Sequence, residues 1–345
     1  MRKMSSPLSL FLSLSLSLFS PSCKYIYQMG ANISHRRKRV SSLQSKKEKE
    51  CPSIIHKSPT TSNSSDSVIL SGRKFHSDPN SVYWLPSDEE EMDRLVGQHF
   101  ALRTLFEGNI PQVAFKMLDF EKGVKILDLG CGPGTWIMDM ATEYPNSEFV
   151  GIDMCDVFPT NIRPANVTFQ VSNALDGLPF EDNSFDMVNF SLFILALKKD
   201  QWLPLMKEIH RILKPGGLFH SREASMLLLG NQFVQWASQV FEQRLIERNQ
   251  EPAICDKIKD IMQEAGFDIL SCVKKHTYPA RPDHLNREFL WDIKHIFKGC
   301  QPFLQDHLGL TTEQYPTFLQ QLVTECQKSP EPRWDIVSTL GRKST

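Results

Sequence analysis

The sequence predicts an α/β fold in which buried strands and amphipathic helices alternate around a mostly parallel sheet. Residues 124–129 form a short, nearly continuous apolar run, as expected of a strand that is covered on both faces. Gly130, Gly132 and Gly134 then allow the backbone to turn sharply and to approach a ligand closely, because no Cβ is in the way. Residues 135–144 follow with their apolar side chains at helical spacing. A glycine-rich turn that leads from a buried strand into a helix N-terminus is typical of nucleotide and anion sites.

The spacing of this turn distinguishes between two nucleotide cofactors. The dinucleotide-binding pattern is G-x-G-x-x-G, whereas here the third glycine comes one residue early and Thr135 occupies the expected position. Asp128 precedes the first glycine by two residues, where a carboxylate would repel a pyrophosphate but would suit a positively charged ligand. Asp153 ends the next strand-like run, about twenty residues on, where an acidic residue binds ribose hydroxyls. S-adenosylmethionine, which has an ammonium and a sulfonium group and no phosphate, is therefore favoured over NAD.

These motifs resemble those of a known enzyme family. Asp128-Leu-Gly-Cys-Gly-Pro-Gly is similar to motif I of the class I S-adenosylmethionine-dependent methyltransferases, Asp153 to their ribose-binding acid, and Lys214-Pro-Gly-Gly-Leu to their turn into the fifth strand. The resemblance covers most of the chain, and the layout is similar to fungal methyltransferase-like regulators of secondary metabolism. It implies a Rossmann-like, seven-stranded, mostly parallel sheet with an antiparallel last strand, flanked by helices, with an added N-terminal helix and a helical insertion before the last strand. The alternative is a glycine-rich turn that binds another nucleotide or none.

The resemblance assigns cofactor contacts to residues on both sides of the glycine turn. It implies that Asp128 holds the methionine ammonium, directly or through water, that Asp153 binds the ribose, and that Asn173 meets the adenine edge. Asn173 offers an amide oxygen as acceptor, although an asparagine also ends strands for turn reasons. Tyr83 and Gln98 are candidates because a Tyr-x-Leu-Pro segment and a Gln-His pair recur in many fungal relatives. The complete set of expected cofactor-binding residues is Asp128, Gly130, Cys131, Gly132, Gly134, Asp153, Met154, Asn173, Ala174, Tyr83 and Gln98.

The other elements follow from apolar spacing and from residues that cap helices or form turns. Ser87 or Asp88 caps a helix whose first turn holds the acidic residues 89–91, which favour a helix N-terminus. The last two helices carry several aromatic residues, so they suit a hydrophobic substrate or simply pack onto the domain. The later strands are expected at 148–153, 167–171, 185–193, 218–223, 267–274 and 334–340, and the later helices at 202–213, 230–248, 254–265, 281–297 and 311–326.

The sequence offers one candidate for acid–base catalysis. His220 lies near the carboxyl end of the predicted fifth strand, on the edge of the sheet where ligands bind in open α/β folds. Histidine accepts protons near neutral pH, so His220 is the candidate base, with a core histidine as the alternative. A base is not required where the nucleophile is an amine or is already ionised. The sequence has neither an Asn-Pro-Pro-Tyr motif nor a paired-glutamate loop, which disfavours methylation of nucleic-acid bases or arginine.

Composition sets limits on the class of protein. The 345 residues carry a net charge of −1 with 41% hydrophobic residues, which indicates a globular protein and no nucleic-acid partner. The eight cysteines form no C-x-x-C pair, so we expect reduced thiols of the cytosol or nucleus, without a metal site or a disulfide framework. Cys131, inside the glycine turn, is expected to serve as a small residue and not as a nucleophile.

The N-terminal region differs from the rest of the chain. Residues 1–80 are predicted to form a disordered tail before a methyltransferase domain at 81–345. The part at 41–78 is too poor in large apolar side chains to offset the entropy of ordering. A Leu-Ser repeat at 8–19 reads as the core of a signal peptide or, together with the rest of 1–28, as a gene-model artefact.

A lipidation pattern lies within the same tail. Met29 and Gly30 begin a sequence that fits N-myristoylation if Met29 is the true start, and the basic cluster 35–39 follows it. An acyl chain with an adjacent basic cluster would give weak membrane association of a cytoplasmic or nuclear protein. The alternatives are a chance match and a solvated or nuclear-import tail.

Three functions are compatible with the sequence. The first is transfer of the sulfonium methyl group to a small-molecule substrate, with the protein positioning the reactants and excluding water. The second is a cofactor-binding regulator that acts through a protein partner without turnover. The third is a peripheral membrane scaffold that uses only the tail. An intact Asp128, glycine turn and Asp153 favour cofactor binding over the scaffold, but the enzyme and the regulator both need that pocket.

Overall fold

The described chain is built around one large sheet and a separate hairpin. The computed structural model describes residues 67–78, 81–159, 161–329 and 331–344. Two strands form the antiparallel hairpin, and the other seven form the sheet. In chain order the strands are β1 (Ser67–Leu70), β2 (Arg73–His76), β3 (Lys125–Leu129), β4 (Glu148–Asp153), β5 (Val167–Val171), β6 (Phe185–Ser191), β7 (Leu213–Leu228), β8 (Phe267–Thr277) and β9 (Arg333–Lys343).

The helices follow the predicted order, and their starts have local causes. Asp88 precedes the first helix, and its side chain accepts a hydrogen bond from the N–H of Glu91, so the second of the two predicted caps is correct. Short 3-10 turns occupy Ala114–Lys116, Ala174–Asp176 and Phe193–Leu195. In the described residues the α-helices are α1 (Glu89–Leu105), α2 (Thr135–Glu143), α3 (Trp202–Ile212), α4 (Gln232–Glu247), α5 (Ile254–Glu264), α6 (His284–Gly299), α7 (Gln301–Leu304) and α8 (Tyr315–Lys328).

The sheet has the strand order β5-β4-β3-β6-β7-β9-β8. The five strands β5-β4-β3-β6-β7 are each parallel to their neighbours, and β9 is antiparallel to both β7 and β8. The predicted seven-stranded, mostly parallel sheet with an antiparallel last strand is therefore confirmed. The carboxyl ends of the parallel strands meet at one edge, where Asp128 lies opposite Asn189, and Asn189 opposite His220. Closer to that edge, Ser191 of β6 lies opposite Arg222 of β7.

Apolar side chains cover both faces of the sheet. On one face, Leu127 and Phe190 join a large cluster with side chains of α3, α4 and α5. On the other face, Ile126 packs with side chains of α2, among them Ile137 and Met140. β3 is thus buried on both sides, as its continuous apolar sequence predicts, and the glycine turn starts from the centre of the fold.

The hairpin lies in the segment that the sequence predicts to be disordered, and that prediction is wrong for residues 67–76. The two residues between β1 and β2 both have positive φ, the backbone of a tight turn that matches the twist of the flanking strands. Phe75 is buried, and Arg73 donates two hydrogen bonds to the Asp88 carboxylate at 2.6 and 2.7 Å. Contacts with the rest of the domain therefore order a segment that is too polar to fold alone.

The other predictions for the tail fall outside the described residues. Residues 1–66, with the proposed acylation site Gly30, the basic cluster 35–39 and the apolar repeat 8–19, belong to this part of the chain. Within the described ranges, no helix is long and apolar enough to cross a bilayer.

Candidate active site

A cavity of about 480 Å³ opens at the carboxyl edge of the parallel strands. Its volume is in the range of sites that bind small ligands. Its walls come from the glycine turn, from the ends of β4 to β6, from β7, and from α1 and α6. The structure brings ten of the eleven predicted cofactor-binding residues together in this wall: Tyr83, Gln98, Asp128, Gly130, Cys131, Gly132, Asp153, Met154, Asn173 and Ala174.

The glycine turn is held against β4 and is closely packed on its other side. The N–H groups of its first two residues donate to the carbonyl of Ile152, at 2.8 and 3.0 Å. Gly130 has φ +68°, and a Cβ there would stand 2.4 Å from Cζ of Phe193. Gly134 has φ +75° and lies outside the cavity wall, where a Cβ would stand 2.6 Å from Cζ of Phe169. Gly134 is therefore not part of the cavity wall; it shapes the turn by allowing β5 to pack closely, and its contact with the cofactor stays a prediction.

Asp128 places a buried carboxyl group in the cavity wall. The residue is 4% exposed, and its Oδ1 accepts a hydrogen bond from Asn189 Nδ2 at 2.8 Å. Burial raises the pKa of this carboxyl to about 7, while the hydrogen bond from Asn189 opposes the rise. Among the described residues, no cationic neighbour lowers that pKa. An ammonium group from a ligand would compensate the buried charge, so Asp128 fits the predicted cofactor.

Asp153 is oriented by the backbone around it. Its Oδ2 accepts a hydrogen bond from the N–H of Gly132, and its Oδ1 one from the N–H of Cys155, each at 2.9 Å. Burial raises the pKa of this carboxyl, and the backbone hydrogen bonds oppose the rise. A carboxylate has about four acceptor sites, so this one can still accept hydrogen bonds from ribose hydroxyls.

Asn173 has a structural contact in addition to its place in the wall. Its Oδ1 accepts a hydrogen bond from the N–H of Leu175 at 3.0 Å and so caps the short 3-10 turn after β5. The turn explanation for this asparagine is thus correct, and its contact with adenine stays a prediction. Cys131 is buried, and burial raises the pKa of its thiol well above the ordinary value, which agrees with a packing role.

The predicted residues before the sheet form one side of the cavity. Gln98 of α1 donates from Nε2 to Oδ2 of Asp292 in α6 at 2.8 Å. Tyr83 stacks on His76 with ring centroids 6.2 Å apart. Burial raises the pKa of the Tyr83 hydroxyl well above its usual range. Both residues therefore lie where the sequence places them, and Gln98 also connects α1 to the insertion.

His220 does not reach the cavity. It is fully buried, its Nδ1 lies 2.9 Å from Oδ1 of Asn189, and its Nε2 lies 2.9 Å from Oγ of Ser338. Burial lowers its pKa well below the ordinary value, and the charge of Arg222 lowers it further. The prediction of His220 as a base is wrong, because both ring nitrogens are used in contacts between strands. The alternative, a core histidine, is correct.

Among the polar wall residues that were not predicted as site residues, His99 and Arg222 are both ionisable and buried. His99 of α1 lines the cavity, and its Nε2 lies 3.1 Å from Oδ2 of Asp139 in α2. Arg222 of β7 also lines it and is 3% exposed. The sequence could have identified His99 by its position directly after Gln98. It could have identified Arg222 because side chains alternate along β7, so that Arg222 lies on the same face as His220 but closer to the edge of the sheet.

Comparisons with known proteins bear on the kind of domain that holds this cavity. Residues 126–217 match the family described as "Methyltransferase domain". The secondary metabolism regulator laeA of Coprinopsis cinerea is 35% identical over 156 residues, which cover 44% of this chain and 38% of that protein. Methyltransferase str2 of Strobilurus tenacellus is 32% identical over 135 residues, which cover 39% of this chain and 46% of that protein. The match thus spans less than half of the length of either relative.

A solved structure with a similar arrangement is phosphoethanolamine N-methyltransferase 2 of Haemonchus contortus in complex with S-adenosyl-L-methionine. Its TM-score is 0.44 at 19% identity, with 79% of this chain and 62% of that chain covered.

Proposed function

We propose that this chain, of which residues 126–217 match a methyltransferase domain, is a class I S-adenosylmethionine-dependent enzyme that transfers the methyl group of its cofactor to a small-molecule acceptor. The predicted methyltransferase domain is supported by the family match at 126–217 and by the relative named as a methyltransferase. S-adenosylmethionine as the cofactor is part of the proposal. The acceptor class and its binding in the same cavity are what we propose in addition.

The observation that carries the proposal is the extent of the cavity beyond the predicted cofactor contacts. Asp153 and Asn173 lie at the ends of β4 and β5, and Asp128 lies near the end of β3. The cavity continues along β6 and β7 to the inserted helix α6. There its wall consists largely of apolar side chains: Leu102, Leu195, Ala224, Ile296 and Trp334. This part of the cavity, called the acceptor space below, suits a small apolar molecule.

The bound cofactor would supply an electrophilic methyl group on a sulfonium centre. In this proposal Asp128 holds the ammonium, and Asp153 accepts hydrogen bonds from the ribose hydroxyls. These two contacts would orient a bound cofactor relative to the acceptor space. In-line transfer then depends mainly on position and on exclusion of water, which the buried walls provide.

Removal of a proton from the acceptor, where the chemistry requires it, is assigned in this proposal to His99. An imidazole whose Nε2–H is held by the Asp139 carboxylate keeps Nδ1 as an acceptor. Burial lowers the pKa of His99, although the hydrogen bond to Asp139 opposes the change. The lowered pKa favours the neutral imidazole, which is able to accept a proton.

The test follows a labelled methyl group from S-adenosylmethionine in cell extract incubated with the full chain. We expect label in the small-molecule fraction. Asp153→Ala should bind the cofactor about tenfold more weakly or worse, and its transfer should fall accordingly. Ile296→Trp, which fills the acceptor space from α6, should bind the cofactor as the wild type does and lose transfer. Label found only in protein would contradict the acceptor class, and full transfer by Ile296→Trp would contradict the location of the acceptor space.

A second function, regulation through protein partners without turnover, is supported by the relatives named as secondary metabolism regulators. In that case occupancy of the cavity by the cofactor would control a partner surface. Cofactor binding without transfer of label to any fraction would favour this function. A partner that co-purifies with the wild-type chain but not with Asp153→Ala would favour it further.

A further inference from the structure

We propose that Arg222 binds a ligand carboxylate in the cavity. The cavity would then hold an anionic group of a ligand at Arg222 as well as a cationic group at Asp128. This inference rests on the proposed function, because it assigns a contact to the ligands of the same cavity. Two ligands can supply the group: the methionine end of the cofactor, or the acceptor. The experiment below separates these two sources.

Arg222 is a buried cavity residue with unused hydrogen-bonding capacity. Its Nη2 donates to the carbonyl of Gly108 at 2.8 Å. Its Nε has no hydrogen-bond partner among the described residues. The ring of Phe106 lies against the guanidinium, with 4.9 Å from Cζ to the ring centroid. The carbonyl and the ring thus hold the planar cation in place, while its buried Nε has no partner within the described part of the chain.

Comparison with Arg94 shows which kind of partner Arg222 lacks. Arg94 is also buried in the cavity wall, but it pairs with Glu91 at 2.7 Å and with Asp292 at 2.6 Å. Burial disfavours its charged form, and the two carboxylates outweigh this effect and raise its pKa. At Arg222 burial lowers the pKa to about 9, and no anion of the described residues opposes the change. An uncompensated buried cation costs free energy, which an anionic group on a ligand would offset.

The charges around the cavity favour a carboxylate over a phosphate. Asp128 and Asp153 lie in the same wall, so a phosphate dianion would meet like charges. A carboxylate has a single charge and two coplanar acceptors that match the fork of a guanidinium. Asp128 on β3 and Arg222 on β7 are separated by β6, so one cavity holds a negative and a positive group at different places in its wall. A ligand ammonium at Asp128 and a ligand carboxylate at Arg222 would compensate both charges.

The experiment is isothermal titration into the full chain. S-adenosylhomocysteine, which has a carboxylate, is compared with 5′-methylthioadenosine, which lacks the amino-acid end. Benzoate is compared with benzamide in chain saturated with S-adenosylhomocysteine, which probes the acceptor space. Arg222→Met should lower affinity about ten- to a hundredfold for the carboxylate that Arg222 holds, because hydrogen bonds to charged groups are the stronger class. A loss for S-adenosylhomocysteine but not for methylthioadenosine identifies the cofactor, and a loss for benzoate alone identifies the acceptor.

Arg248→Met is the matched control. Arg248 also donates to a backbone carbonyl, that of Val82 at 3.3 Å, lies against the ring of Trp84, and has an Nε without a partner. It lies outside the cavity wall, so its variant should bind every ligand as the wild type does. Arg222→Met should unfold at a temperature no lower than the wild type, because it removes an uncompensated buried charge.

Three results would overturn the assignment of Arg222. The first is that Arg222→Met binds both S-adenosylhomocysteine and benzoate as tightly as the wild type does. This result would leave the proposed function intact. The second is an equal loss for S-adenosylhomocysteine and methylthioadenosine, because the effect is then not specific to a carboxylate. The third is a folded wild-type chain that binds neither nucleoside, which contradicts the proposed function as well.

Discussion

Among individual residues, Asp128 links cofactor binding to pH. Burial places its pKa at about 7, and the cofactor ammonium requires the ionised carboxylate. Because the carboxyl is protonated below that pKa, affinity for S-adenosylmethionine should fall about tenfold from pH 8 to pH 6. Titrations of the wild type and of Asp128→Asn at both pH values check this, and the variant should change little. Equal wild-type affinities at the two pH values would contradict an ammonium contact at Asp128.

The same residue should lower the stability of the free protein at high pH. Its folded-state pKa of about 7 lies above the ordinary value of 3.8, so the unfolded chain loses this proton first as the pH rises. The contribution of Asp128 to the free energy of unfolding therefore decreases as the pH rises from 3.8 to about 7. Without ligand, Asp128→Asn should melt at a higher temperature than the wild type at pH 8, and the difference should shrink at pH 5. A lower melting temperature of the variant at pH 8 would count against the pKa shift.

Position 130 requires glycine for two reasons, the backbone conformation and the proximity of the Phe193 ring. Alanine at φ +68° is strained, and its Cβ would stand 2.4 Å from Cζ of Phe193. Gly130→Ala should lower the free energy of unfolding by about 1–3 kcal/mol and weaken cofactor binding. Adding Phe193→Leu should restore part of the stability, since it removes the ring but not the backbone strain. Chemical denaturation of the single and double variants measures both effects, and a double variant no better than Gly130→Ala would exclude the ring as a cause.

At the scale of elements, a buried ion network joins α1 to the inserted helix α6. Arg94 contacts Asp292 at 2.6 Å, and both side chains are 2% exposed. Asp292→Ala should lower the free energy of unfolding by about 3–5 kcal/mol, because it leaves part of a buried charge uncompensated. The pair Lys298–Glu90 joins the same two helices at 2.7 Å but is about 40% exposed, so Lys298→Ala should cost less than about 1 kcal/mol. Equal costs for the two variants in denaturant titrations would show that burial of the network does not matter.

Elements with strong local signals could be predicted from the sequence. The buried strand at 124–129, the helix after the glycine turn and the cap at Asp88 each depend on residues within a few positions of one another. The hairpin at 67–76 does not depend on neighbouring residues alone. Its buried ring, Phe75, packs on Phe303, which is far away in sequence, with 5.9 Å between the ring centroids. Polar composition alone therefore gave the wrong expectation there.

At the scale of the whole molecule, the candidate site was predictable where it depends on one motif and not where strands from distant parts of the chain meet. Asp128, Asp153 and the glycine turn follow from spacing, and the structure places both carboxylates and residues 130–133 of the turn in one cavity. His220 and Arg222 are two residues apart on one face of β7, yet only Arg222 reaches the cavity. Ser338 of β9, 118 residues further along the chain, takes the second nitrogen of His220. No local pattern in β7 reveals that contact.

In the proposed function, Asp128, Asp153 and the start of the glycine turn form one site for S-adenosylmethionine. Isothermal titration of the cofactor into the full chain and into Asp153→Ala tests this assignment. We predict that the wild type binds and that the variant binds about tenfold more weakly or worse, because hydrogen bonds from the ribose to a carboxylate are lost. Asp268→Ala, which removes an exposed carboxylate of β8, is the control and should bind as the wild type does. A folded wild-type chain that binds neither S-adenosylmethionine nor S-adenosylhomocysteine, or an Asp153→Ala variant with unchanged affinity, would contradict the claim.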